Sequence, residues 1–284
     1  PSLVGSEMCI RDSCHSSKLR PPRRRASPGA SMSGEPLPEA LESAKARRTL
    51  REILEACRVV TGPQLQRWGL EAAARELELT HATRTVRTRT TQPHSAVPIR
   101  FVVLEPYWLR RSARELMHWA ATAELFVANI LPPTGRWTLV DSRSGQRGHY
   151  PDAEFIMPVN GLSAAFEVDA GYAPAKVEAK LLAYAGLGYS TIMWGVTIHA
   201  RVPTVARMAT ELMRTHRLPG VTLVISRYIN FWDVRDPYHD RRRCHKPMKA
   251  AVALPDAEVQ FRAAYATATL EARPWLKGRT SRST

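Results

Sequence analysis

Long apolar runs are missing from this sequence. The best stretch, Ser190 to Ala200, is short and holds Gly195 and His199, whereas a bilayer-spanning helix needs roughly 18–20 apolar residues in succession. Cysteine is scarce as well. Cys9, Cys14, Cys57 and Cys244 lie far apart, with no C-x-x-C pair and no Cys/His spacing that repeats a zinc signature; the nearest approach is Cys244-His245 close to His239. A disulfide framework and structural zinc are therefore not expected, which suits a reducing cytoplasm. Acidic charge is short too: 26 Asp and Glu stand against 41 Lys and Arg, a net charge of +15. The imbalance asks for a polyanionic partner, and DNA, RNA and an anionic membrane surface all qualify. What remains is an ordinary globular composition, 44% apolar over 284 residues, enough for one large domain or two small ones.

The first 31 residues read differently from the rest. They are rich in Ser, Pro and Arg, include Arg23-Arg24-Arg25, and lack the apolar stretch that a secretory signal needs after its basic start. Pro1 to Ser13 (PSLVGSEMCIRDS) resembles a translated sequencing-adapter artefact. Residues 1–31 are accordingly read as a disordered or artefactual leader, with Met32 as the start. They carry six Lys/Arg and two Asp/Glu, so +11 remains without them.

From Pro38 the pattern is helical, with Leu41, Leu50, Ile53, Leu54 and Cys57 at three- and four-residue intervals until Arg58-Val59-Val60 interrupts it. Thr61-Gly62-Pro63 starts a second helix, with a Thr N-cap and a proline where its missing N–H costs nothing. A third helix spans Glu71 to Leu77. Two β-prone runs follow, Thr83 to Thr90 and Val97 to Leu104, joined by a loop. Three short helices and a basic two-stranded ribbon form the layout of a winged helix over residues 38–105. In it Arg84, Arg87 and Arg89 are candidates to lie along phosphates while a helix enters the major groove.

Residues 111–235 read as an α/β layer structure in the order α-β-β-β-α-β-α-β. Arg111 to Ile130 is an amphipathic helix and Arg136 to Val140 a strand. Ala153–Val159 and Leu162–Val168 form a hairpin about Asn160-Gly161, a dipeptide suited to positive φ angles. A helix over Pro174 to Ala185, a buried strand at Thr191 to Ile198, a helix at Thr204 to His216 and a strand at Val221 to Ser226 complete the order. Residues 236–284 are left as a basic extension. There Arg241, Arg242 and Arg243 sit beside Tyr238 and two histidines, a composition suited to phosphates or a stacked base.

Three acids converge in the second segment. Asp152 begins the first hairpin strand, and Glu167 and Asp169, two apart near the end of the second, share one face by the pleat. Clustered carboxylates raise one another's pKa unless a cation intervenes, and Mg²⁺ or Mn²⁺ is the natural one. Lys180, and Lys176 one turn earlier, project from the following helix toward the same place. The plainer alternative has Asp152 capping a turn and Lys180 pairing with a surface acid such as Glu178 or Glu154. Tyr172, Tyr184 and Tyr189 invite a tyrosine-nucleophile reading, but no His-x-His metal pair accompanies them.

Pro151-Asp152, then Glu167-Val168-Asp169, then a lysine resembles the PD-(D/E)xK nuclease motif. More narrowly, Arg147 to Ala153 (RGHYPDA), Phe166 to Ala170 (FEVDA) and Lys180 to Tyr184 (KLLAY) resemble the replication-relaxation family of bacterial plasmid and mobile-element proteins, over roughly residues 45–225. The resemblance implies a winged-helix-like front, a restriction-endonuclease-like back, and a role in plasmid replication initiation, DNA relaxation or transfer. It also implies catalytic roles for Asp152, Glu167, Asp169 and Lys180, with Asp152 and Glu167 as metal ligands. The sequence departs from the motif in one respect: the lysine position two residues after the strand acid holds Asp169, leaving Lys180 as the substitute. Three functions follow: a DNA-processing protein that nicks, a non-catalytic winged-helix regulator whose α/β domain forms a homodimer or senses a ligand, and an RNA-binding protein.

Overall fold

Local chemistry sets where the second helix begins. The Thr61 side chain accepts from the Gln64 N–H at 3.2 Å while the Gln64 side chain accepts from the Thr61 N–H at 2.7 Å, a reciprocal cap. Proline near the first helical position and Gly69 at φ +68° bound this turn at its two ends. A computed structural model describes residues 37–89, 93–129, 134–140, 149–158, 161–234 and 249–253.

The described residues form a mixed α/β structure with two sheets. Helix α1 (Leu37–Cys57) leads into strand β1 (Val59–Thr61), helices α2 (Gly62–Trp68) and α3 (Glu71–Glu76), and strands β2 (Thr80–Arg87) and β3 (Ala96–Val103). The three strands pair antiparallel in the order β1-β3-β2. Helix α4 (Ala113–Asn129) follows, then strands β4 (Arg136–Leu139), β5 (Ala153–Ile156) and β6 (Ser163–Asp169), helix α5 (Pro174–Gly186), strand β7 (Thr191–Val196), helix α6 (Arg201–Arg214), and strands β8 (Leu223–Tyr228) and β9 (Lys249–Ala253). These six strands lie in sequence order. β4, β5 and β6 are antiparallel, β6, β7 and β8 parallel, and β9 returns antiparallel to β8.

Most expected elements are present with shifted ends, and two were not foreseen. Val59 and Val60, read as part of an interruption, form a strand with the capping Thr61 because the three pair with Phe101–Val103. Lys249–Ala253, within the segment read as a basic extension, is the edge strand of the larger sheet. Gly161, between the antiparallel strands β5 and β6, has φ +65°, the conformation for which glycine was expected there; Asn160 lies outside the described residues. Helix α6 starts at Arg201 rather than Thr204, since Pro203 is tolerated within a first turn. Among the described residues no helix is long and apolar enough to cross a membrane.

The described residues from Pro38 onward cluster as one compact unit, and one hydrophobic core runs from Leu50 and Phe101 through Leu116 and Phe126 to Phe166 and Phe231. It joins the segment with the smaller sheet to the segment with the larger. A second core of Val177, Leu181, Trp194, Val202 and Leu212 lies on the opposite face of the larger sheet, under α5 and α6. Alternate residues of β6 serve the two cores: Ala164, Phe166 and Val168 the first, Ala165 the second.

Polar groups buried at the junction of the two segments bind them further. Arg67 of α2 pairs with Glu124 of α4, their side chains 9% and 4% exposed, and donates to the backbone oxygens of Asn230 at 2.8 Å and Asp233 at 2.6 Å. Gln64 donates to Glu124 at 2.9 Å and to the Ala120 carbonyl at 2.7 Å. Removing one partner of a buried pair strands the other charge. Arg67→Met is therefore expected to cost about 3–5 kcal/mol in urea unfolding, and Arg67→Met with Glu124→Leu to recover most of it. A loss below about 1 kcal/mol, the range of exposed pairs, would show that the junction does not depend on this ion pair.

Candidate functional site

The sheet's central strand carries two buried acids on the face that α5 and α6 cover. Glu167 and Asp169 are both fully enclosed, as the two-residue spacing on one face anticipates. Their partners differ. Asp169 Oδ1 accepts from the N–H groups of Gly171 at 2.7 Å and Tyr172 at 2.6 Å. Its Oδ2 accepts from Trp194 Nε1 at 3.2 Å and from the Arg201 guanidinium at 2.7 Å. Both oxygens are spent on shaping the β6–α5 turn and tying it to α6.

Glu167 meets the lysine that its position in α5 aims at it. Lys180 Nζ donates to Glu167 Oε2 at 2.9 Å, to the Tyr184 hydroxyl at 2.9 Å and to the Tyr150 carbonyl at 3.0 Å, which uses all three ammonium protons. The Tyr184 hydroxyl in turn donates to Glu167 Oε2. Four-residue spacing puts Lys180 and Tyr184 on one helix face. The surface acids considered as partners for Lys180 are engaged elsewhere: Glu178 pairs with Arg217 at 2.8 Å, and Glu154 accepts from the Tyr189 hydroxyl at 2.9 Å.

Asp152, the residue before β5, lies against the same stretch of β6. Its N–H donates to the Phe166 carbonyl at 2.8 Å, and its Oδ2 accepts from the Val168 N–H at 2.7 Å. Its side chain is 26% exposed, so the site opens to solvent on this side. His118 of α4 places Nδ1 at 3.8 Å from Asp152 Oδ1. The structure thus gathers Asp152, Glu167 and Lys180, adds Tyr184 and His118, and holds Asp169 in the adjoining turn. His118 carries no signal of its own in the sequence, where it is one polar position in an amphipathic helix.

Burial dominates the electrostatics. It pushes Glu167 up to about 7, helped by the charge on Asp152 and opposed by Lys180 and Tyr184. Desolvation likewise raises Asp152. It holds His118 down at about 4, so the imidazole is neutral at physiological pH. Tyr172 and Tyr184 are raised above the usual phenol range by burial first and the Glu167 charge second, the wrong direction for an activated tyrosine nucleophile. Glu167 Oε1 is buried with no hydrogen-bond partner among the described residues. Among the described residues no three His, Cys, Asp or Glu side chains are gathered as a metal-ion cage.

The ribbon arginines are differently placed. Arg84 and Arg87 are exposed on β2, but their odd spacing sends them to opposite faces of the strand. The Arg89 N–H donates to Ser95 Oγ at 3.1 Å, just beyond the strand. Arg241, Arg242 and Arg243 lie outside the described residues. Helix α3 is six residues long, and its acids are taken by cations: Glu71 by Arg100 at 3.6 Å and Glu76 by Arg47.

The raised Glu167 value has a signed consequence. The folded state holds this proton more tightly than the unfolded chain does, so its contribution to stability falls as pH rises from the ordinary carboxyl range through about 7. Glu167→Gln removes that dependence. The variant is expected to gain on the wild type by up to about 1.4 kcal/mol per pH unit between about pH 5 and 7, followed by urea unfolding. A pH-independent difference would mean that Glu167 titrates normally.

No family model matches this chain, and neither a curated protein nor a solved structure is similar to it.

Proposed function

We propose that this chain is a DNA-binding protein of plasmid or mobile-element replication initiation or DNA relaxation, whose larger sheet carries a divalent-cation-dependent nicking site. The meeting of Asp152, Glu167 and Lys180 carries the reading: two carboxylates and an ammonium, drawn from the residue before β5, from β6 and from α5, at a site that Asp152 opens to solvent. The run α4-β4-β5-β6-α5-β7, antiparallel through β6 and parallel from β6 to β7, supports a nuclease-like core. The run α1-β1-α2-α3-β2-β3, with strand order β1-β3-β2, supports a winged-helix-like front. The net charge of +15, or +11 without residues 1–31, supports a polyanionic partner.

A hard cation fits the oxygens that the protein leaves over. Among the described residues Glu167 Oε1 has no hydrogen-bond partner, and Asp152 Oδ1 has the neutral His118 imidazole at 3.8 Å. Asp152 and Glu167 would hold Mg²⁺ or Mn²⁺, in keeping with the one or two carboxylates that Mg²⁺ takes beside water and phosphate. Such an ion supplies an activated water and charge for the phosphate oxygens. Lys180 orients Glu167 and brings a positive charge to offset the one that builds on the phosphate. Tyr184 and the Tyr150 carbonyl hold that lysine in place.

A second reading, a regulator that binds DNA without cutting it, is favoured by Asp169. It occupies the position where the nuclease motif has its lysine, and it is bound to Arg201. Supercoiled plasmid with Mn²⁺ separates the two. The wild type is expected to convert it to nicked circles, Asp152→Ala to abolish conversion while still binding DNA, and Lys180→Ala to reduce it. Equal conversion by wild type and Asp152→Ala would place any activity elsewhere, and none by either would favour the regulator.

A further inference from the structure

Helices α4 and α5 face the site from opposite sides of the sheet, and each does two things. On α4, His118 stands at Asp152, and Arg114, one turn toward the N-terminus, is exposed. On α5, Lys180 is bonded to Glu167, and Lys176, again one turn toward the N-terminus, is exposed. Residues four apart share a helix face, so each helix carries an inner group at the carboxylates and an outer cation beside them. The charge of Lys176 acts on both Asp152 and His118, and that of Arg114 acts on His118.

Among the described residues these two cations are not consumed by acids. Three exposed arginines elsewhere spend their charge locally: Arg48 on Glu52, Arg214 on Glu211 and Arg217 on Glu178. Arg114 and Lys176 have no carboxylate partner among the described residues. Lys176 Nζ lies instead 3.7 Å from the centroid of the Tyr172 ring, a contact that aims the ammonium without neutralising it. The Tyr172 N–H is fixed by Asp169, which Arg201 anchors. Asp169 thereby builds the turn on which Lys176 rests.

We infer that Arg114 and Lys176 form a two-sided phosphate clamp at the mouth of the Asp152–Glu167 site, seating the DNA phosphodiesters that flank the one acted on. The clamp rests on the reading of this site as a DNA-processing centre. Its members are positioning residues: they bind the strand, and the carboxylates and Lys180 stay with the reacting phosphate.

The test uses the full chain carrying Asp152→Ala, so that DNA is bound and not cut. Fluorescence anisotropy with a labelled duplex gives log K against log salt. Arg114→Gln and Lys176→Gln are each expected to shallow the slope by about 0.9, the contribution of one phosphate, and Lys176→Arg to restore it. Arg207→Gln, which removes an exposed cation from α6, is expected to leave it unchanged. In the nicking-competent chain, Lys176→Gln should raise KM several-fold with kcat little altered, a split that a merely structural role would not produce. Slopes unchanged by both substitutions would overturn the clamp, as would a change seen with an RNA duplex alone. Shallower slopes in a protein whose wild type does not nick would keep the clamp and overturn the catalytic reading.

Discussion

A carboxylate enclosed at the centre of a six-stranded sheet is tolerable only if something meets its charge, and in this protein the Lys180 ammonium does so. Removing Glu167 from water is costly, as its value near 7 registers. The pairing fixes more than a charge. Lys180 sets the rotation of α5 over β6, Tyr184 closes the triangle, and the Tyr150 carbonyl draws the chain before β5 against the same ammonium. Asp152 is held to the same stretch of β6 by its bonds to Phe166 and Val168, and His118 reaches it from α4.

The neighbouring acid solves the same problem differently. Asp169 satisfies its oxygens with two backbone N–H groups, an indole and a guanidinium. Two acids, two residues apart on one strand face, thus have separate duties: Glu167 keeps an oxygen without a partner among the described residues, and Asp169 builds the turn under Tyr172 and Lys176. At the other end of the molecule Arg67 and Glu124 play a comparable part, because a buried ion pair there binds α2 to α4 and makes one core of two sequence segments.

Much of this was legible in residue order. Proline and glycine punctuation marked α2, α5 and the Gly161 hairpin, and the Lys-x-x-x-Tyr spacing marked the face of α5 that meets Glu167. Elements defined by partners far along the chain were not legible. Val59–Thr61 is too short for any period to show, and it is a strand only because β3 runs beside it. Lys249–Ala253 is mostly alanine, a weak strand former, and depends on the open edge of β8. Gln64, Arg67, Glu124 and His118 look like surface residues of amphipathic helices; their burial comes from tertiary contacts that no local pattern encodes. The partner of Asp169 lies 32 residues away at Arg201, a distance over which spacing carries no information.

The claim at the centre is that Asp152 and Glu167 keep oxygens for a cation at a place where DNA phosphate is bound. Crystals of the full chain soaked in Mn²⁺, with diffraction recorded at the manganese edge, address it directly. An anomalous peak is expected within bonding distance of Asp152 and Glu167, near the roughly 2.0–2.1 Å of small hard cations to oxygen. An intact Lys180–Glu167–Tyr184 triangle with no anomalous density at Asp152, at a Mn²⁺ concentration that saturates other carboxylates in the crystal, would contradict it.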